Sequence, residues 1–258
     1  MELSIIVIIL LAVVCFTAGF IDSIAGGGGL LTIPSFMLAG IPGHYVLGTN
    51  KFVATLGTGI ATGNFIHKKK ANFKIIAAGI IFAFAGSFIG AEVIQMFESD
   101  MVNKIIIFLM PVGIAATLIP RKNKPHEAQL GKVDFLAKVP LITFVIGFYD
   151  GFFGPGTGSF LALSFYIFLH LELVEATANA KIFNFASNIA ALVSFIIEGQ
   201  VFYKIAIPLA AANMAGNFLG SHLALKKGEK VIKFFLVLVL IILSATLIWK
   251  FFLRDLFF

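Results

Sequence analysis

Charge is what this sequence has least of: 12% of its 258 residues are Asp, Glu, Lys or Arg, against 59% hydrophobic. A water-soluble domain carries roughly 25% charged residues. A soluble globular surface is therefore excluded, and the chain reads as an integral membrane protein. Cysteine is almost absent: Cys15 stands alone, so no internal disulfide can form. It lies in an apolar run behind Val14, where a lipoprotein anchor needs a small residue, and a packing role is left. The stretch Leu3 to Phe20 has no basic leader and no small-x-small cleavage site, so it is expected to remain as a membrane helix. No G-x-S-x-G, Walker or H-E-x-x-H pattern occurs, and no enzyme is indicated. His44, His67, His126, His170 and His222 lie apart without ligand spacing, so neither a metal site nor a cofactor is expected. The net charge of +6 resides largely in lysines of short loops, where the positive-inside bias explains it, and no nucleic-acid partner is implied.

What is present is a series of apolar segments. They run about Leu3–Ile24, Leu30–Ile41, Tyr45–Ile66, Phe73–Phe97 and Met101–Ile119, then Phe135–Phe153, Ser159–His170, Ala176–Ile197, Phe202–Leu225 and Val231–Leu253. Most have the roughly 20 residues that span a bilayer as a helix. The second of each set has about a dozen, too short to cross unless it is an arm of a broken or re-entrant helix. A polar connector, 120–134, separates a first membrane repeat, 1–119, from a second, 135–258, and its basic residues place it in the cytoplasm. The expected fold is an all-α polytopic membrane protein of two repeats with about five segments each.

The evidence for duplication is positional. Lys51 and Lys74 are separated by 23 residues, as are Lys181 and Lys204. At that offset of 130, the run Ala85–Gly90 falls on Ala215–Gly220. A glycine-rich stretch, Gly19-x-x-Asp22 followed by Gly26-Gly27-Gly28-Gly29 and Pro34, recurs at an offset of 128 as Gly147-x-x-Asp150 followed by Gly154, Gly156, Thr157 and Gly158. The charge bias changes sides between matching loops. His67–Lys74 is basic where Glu198-Gly199-Gln200 is not, while Glu98-Ser99-Asp100 is acidic where Lys226–Lys230 is basic. Inverted repeats are expected from this, with both termini away from the cytoplasm.

Polar groups inside apolar spans point to a substrate or ion path. Lys51, Thr55, Thr58 and Thr62 share one helical face, and so do Lys181, Asn184 and Asn188. A cation followed by neutral hydrogen-bonding groups suits an anion; snorkelling of each lysine to the interface is the other explanation. Four successive glycines oppose a helix at about 1 kcal/mol each. They suit a backbone nest for an anion at Gly26, Gly27, Gly28, Gly29, Gly154, Gly156, Thr157 and Gly158, with close helix packing as the alternative. Packing alone accounts for Gly86, Gly90, Gly216 and Gly220. Asp22 and Asp150 can pair with the lysines, carry a coupling proton or cap the half-helices. Thr49, Asn50 and Asn179 are weaker additions.

The two glycine motifs and the two sets of four or five spans resemble the TauE/SafE sulfite exporter family over nearly the whole chain. The resemblance implies a permease in the inner membrane of a bacterium or archaeon, acting on a small sulfur-containing anion such as sulfite or a sulfonate. The second motif departs from the first at Pro155 and Thr157, so the two half-sites need not contribute equally. The expected function is a secondary transporter working by alternating access at the repeat interface. An anion channel or a cation or metal permease with Asp22 and Asp150 as ligands are the alternatives. Its expected partners are the anionic substrate, membrane lipid and a coupling proton; an oligomeric state is not read from the sequence.

Overall fold

The computed structural model describes residues 3–67, 71–118 and 130–224. The segment Val231–Leu253, most of the 120–134 connector, Lys68–Lys70 and the basic run Lys226–Lys230 lie outside the described residues. Within them the chain is helical: α1 (Ile5–Ala25), α2 (Gly29–Leu38), α3 (Gly43–His67), α4 (Phe73–Gln95), α5 (Ser99–Leu118), α6 (Val139–Phe152), α7 (Thr157–Phe168), α8 (Leu173–Ile197) and α9 (Tyr203–Ala224). A π-helical turn, Asp134–Lys138, leads into α6. Ser4 caps α1 by accepting from the Val7 N–H, and Asn72 caps α4 by accepting from Lys74.

Among the described residues four stretches are long and apolar enough to cross a membrane: Ile5–Ile24, Phe73–Gln95, Asp134–Phe152 and Val174–Ile197. Their outward faces carry large apolar side chains in the open, among them Ile5, Ile9, Ile81 and Leu141, as a lipid-facing surface requires. The helices α2 and α7, of 10 and 12 residues, are too short to span. Each follows a glycine break that turns the chain back: a Cβ on Gly28 would strike the Ala18 carbonyl and Asp22, residues of the preceding helix.

Two tight helix pairs frame the bundle, α1 with α9 and α4 with α6, and α3 and α8 pack between them. The tightness comes from glycine. A methyl on Gly86 or Gly90 of α4 would collide with the Phe144 or Phe148 carbonyl of α6, and one on Gly216 or Gly220 of α9 with the Phe16 or Phe20 carbonyl of α1. These four glycines therefore serve backbone approach between helices. One apolar core gathers residues of α1, α2, α3, α4, α5, α8 and α9; a second, around Phe165 and Phe183, joins α4, α6, α7 and α8.

Candidate functional site

Both glycine breaks arrive at the same place. Gly26 and Gly27 sit at φ +76° and +97°, Gly154 and Gly156 at +98° and +87°, a region that L side chains rarely adopt. The breaks touch: a Cβ on Gly26 would come within 2.8 Å of the Ser159 N. Not every glycine is there for its dihedral. Gly28 has a right-handed conformation and answers to close packing instead, while Gly29 and Gly158, in the first turns of α2 and α7, would meet an added Cβ only at ordinary contact distance.

The two lysines reach across the bundle to the two aspartates. Lys51 Nζ of α3 lies 2.9 Å from Asp150 Oδ1 of α6, and Lys181 Nζ of α8 lies 3.0 Å from Asp22 Oδ2 of α1. Neither lysine snorkels; both are 2% exposed. Each pair therefore joins an early residue to a late one. Lys51 also donates to Asn188 Oδ1 at 3.1 Å, and the Asn188 amide faces Asn184 Oδ1 at 3.4 Å. Lys181 also donates to the Asp22 backbone carbonyl, which accepts from the Gly26 N–H as well where α1 ends. Burying an unpaired charge is prohibitive, so pairing is what lets four ionisable groups reside here.

The two aspartates differ in how fully they are engaged. Asp22 uses both oxygens, Oδ2 for Lys181 and Oδ1 for the Gly28 N–H at 3.2 Å. Asp150 concentrates its contacts on Oδ1, which accepts from Lys51 and from Thr157 Oγ1 at 2.8 Å. Its Oδ2 is buried with no hydrogen-bond partner among the described residues.

Between the pairs lies a cavity of about 30 Å³. Asp22, Gly27, Gly28, Gly29, Lys51, Asp150, Gly154, Gly156, Thr157, Gly158, Asn184 and Asn188 line it. The first residues of α2 and α7 are thus both in the wall, where a helix N-terminus turns its positive dipole end toward an anion. Of the residues singled out from sequence, Gly26, Thr55 and Lys181 stand behind the wall. Gly26 packs on the other break, and Thr55 donates back to the Lys51 carbonyl at 2.6 Å. Thr62 donates to the Lys181 carbonyl and Thr49 accepts from Phe202 N, so these threonines join helices.

The cavity also takes in Thr32, Asn50, Thr58 and Asn213. Thr32 donates to Asn50 Oδ1, tying α2 to α3. Asn213 was not singled out from the sequence, although Asn213 and Asn217, four apart in an apolar stretch, carry the signal of a polar helical face. Asn213 donates to the Cys15 carbonyl at 2.8 Å and accepts from Asn217 at 2.9 Å. Among the described residues no cluster of three or more His, Cys, Asp or Glu could hold a metal ion.

A family profile described as "Sulfite exporter TauE/SafE" matches residues 11–247. A "Probable membrane transporter protein" of Haemophilus influenzae is 34% identical over 96% of this chain and 97% of its own length. The "Probable membrane transporter protein YfcA" of Escherichia coli is 38% identical over 92% of this chain and 87% of its own. "ORF9", a probable membrane transporter protein of a Sinorhizobium species, is also 38% identical, over 92% and 91%. No solved structure matches the chain.

Proposed function

The chain belongs to the sulfite exporter TauE/SafE family of membrane transporters, and from that premise we propose that it moves a small sulfur-containing anion, sulfite or an organosulfonate, across the inner membrane of its cell. The observation that carries this reading is the meeting of buried Lys51 with two helix N-termini around one small polar cavity, with the Lys181–Asp22 pair closing it from behind. A compact anion with several acceptor oxygens uses that set of donors fully. In a poorly hydrated site each donor counts for far more than it does in water.

Transport proceeds by alternating access between two inverted repeats, 1–119 and 135–258. The crosswise packing supports this: α1 lies on α9 as α6 lies on α4, and matching glycines close both seams over matching carbonyls. The cavity size supports it too. About 30 Å³ suits a water molecule or two and is too little for a sulfonate, so the helices must part before substrate enters. The loop at 67–74 faces the cytoplasm.

Purified protein in proteoliposomes, offered sulfite, thiosulfate, sulfoacetate, taurine and sulfate, tests the reading. Accumulation of at least one of these against its gradient is expected. Purely downhill flux even with a proton gradient imposed would exclude a concentrative transporter and favour the channel reading. Metal uptake that is lost in Asp22→Asn and Asp150→Asn but kept in the lysine variants would make it a cation permease.

A further inference from the structure

The two ion pairs look equivalent by position yet differ in their remaining contacts, and the difference assigns them separate tasks. Resting on the anion-transporter reading, we infer that Asp150 is the proton-carrying group, which takes up a proton as Lys51 is handed to the substrate anion, while Asp22 and Lys181 form a permanent strut.

Asp22 is fully committed. One oxygen holds Lys181, the other holds the Gly28 N–H, and Lys181 also grips the Asp22 carbonyl. Releasing Lys181 would break two contacts at the end of α1 at once, to Asp22 Oδ2 and to the Asp22 carbonyl. Asp150, a residue of the cavity wall, gathers Lys51 and Thr157 on Oδ1 alone and leaves its Oδ2 buried without a hydrogen-bond partner among the described residues. A bare carboxylate oxygen away from water favours the protonated acid once its counter-charge is drawn off. Lys51 in turn does not depend on Asp150 alone, because Asn188 Oδ1 keeps the ammonium at the cavity.

Charge balance makes the exchange obligatory. The resting pair sums to zero. A monoanion on Lys51 beside an ionised Asp150 would leave one negative charge buried without a partner, at a cost of several kcal/mol. Moving one proton from water to Asp150 Oδ2 returns the sum to zero, and Lys51 remains an ammonium throughout. Among the described residues no other nearby group offers this. Asp22 and Lys181, from α1 and α8, are bound to each other. The helix α7 has no charged side chain. On α4, Glu92 accepts from Ser194 and Lys74 lies in the first turn, while on α6 the Tyr149 hydroxyl donates to the Pro155 carbonyl. Asp134 and Lys138, in the turn before α6, pair with each other.

Two measurements decide the matter. The first needs no substrate: the infrared carbonyl stretch of a buried protonated carboxyl is followed as the reconstituted protein is acidified. The band should grow in wild type and in Asp22→Asn, and be missing in Asp150→Asn. In Lys51→Gln it should already be present at alkaline pH, because the acid has lost its cation; this variant keeps the test open if Asp150→Asn fails to fold. A band unaltered by Asp150→Asn, or lost in Asp22→Asn, overturns the inference. The second uses methanesulfonate, a monoanion that does not titrate near neutrality. Its affinity for wild type should rise about tenfold for each unit the pH falls above the point where Asp150 is half protonated, and about one proton should accompany each bound anion. Methanesulfonate binding that is flat with pH overturns the inference. No methanesulfonate binding at any pH, with the band still assigned to Asp150, overturns the sulfonate reading and leaves the proton site standing.

Discussion

Lys51 Nζ and Asp150 Oδ1 meet at 2.9 Å with both side chains 2% exposed, although one residue belongs to the third helix and the other to the sixth. Removing one partner of such a pair leaves an uncompensated buried charge, which costs about 3–5 kcal/mol. Lys51→Gln and Asp150→Asn should each destabilise the protein on that scale, and the double variant by clearly less than their sum. Thermal unfolding of the four proteins in one detergent measures the coupling. Additive effects would show that the pair is not made.

Affinity separates a substrate-binding lysine from a structural one. Lys51→Gln should weaken anion binding by about ten- to a hundredfold. Lys51→Arg should not restore it, because a planar guanidinium fork cannot occupy the place of a compact ammonium. Lys181→Gln should act chiefly on stability. Dissociation constants for all three variants, set beside their unfolding temperatures, check this; equal affinity in wild type and Lys51→Gln would remove Lys51 from the binding site.

Three glycine-to-alanine changes distinguish strain from site. Gly63 is helical with nothing within 4 Å of an added Cβ, so Gly63→Ala should stabilise by about 0.4–1 kcal/mol. Gly199 also faces open space but at φ +66°, and alanine there should cost about 1–2 kcal/mol with transport retained. Gly154 combines φ +98° with a Cβ position 3.1 Å from Lys51 Nζ. Gly154→Ala should lose transport as well as stability. Retention of full flux in Gly154→Ala would detach the break from the site.

Accessibility tests the orientation. Gly43 and Gly48, early in α3, lie against the Ser99 and Gln200 carbonyls, whereas Asn72 donates to Glu175 at the other end of the bundle. Single cysteines at Glu98 and Glu198 should therefore react with a membrane-impermeant maleimide on intact cells, and those at Lys74 and Glu172 should not. The native Cys15 is fully buried and needs no replacement. Labelling confined to Lys74 and Glu172 would reverse the orientation.

Much of the helical order could be read from the chain, because hydrophobic runs and glycine breaks are local properties. The short α2 and α7 declared themselves by length, and the carbonyl seams by repeated glycines such as Gly86 and Gly216. The partner choice of the lysines was not legible. Nothing in spacing says that Lys51 takes Asp150 and not Asp22, since that depends on how α3 and α6 lie in space. Asn213 is harder to read even with Asn217 one turn on, because asparagines in an apolar helix resemble any interhelical hydrogen-bonders until the cavity beside Asn213 is seen. Gly28 misled in another way: a run of four glycines suggests unusual dihedrals throughout, yet only Gly26 and Gly27 have them.

The crossed pairing also bears on how the protein is made. Asp22 and Lys51 leave the ribosome early, and their counter-charges, Lys181 and Asp150, are synthesised much later. Until then the nascent first half holds one acid and one base that cannot settle into the lipid as they will in the finished molecule. They must wait in a wetter place, or against the insertion machinery, for the rest of the chain to arrive. A first half expressed alone should consequently be cleared by membrane proteases, and co-expression of the second half as a separate polypeptide should protect it.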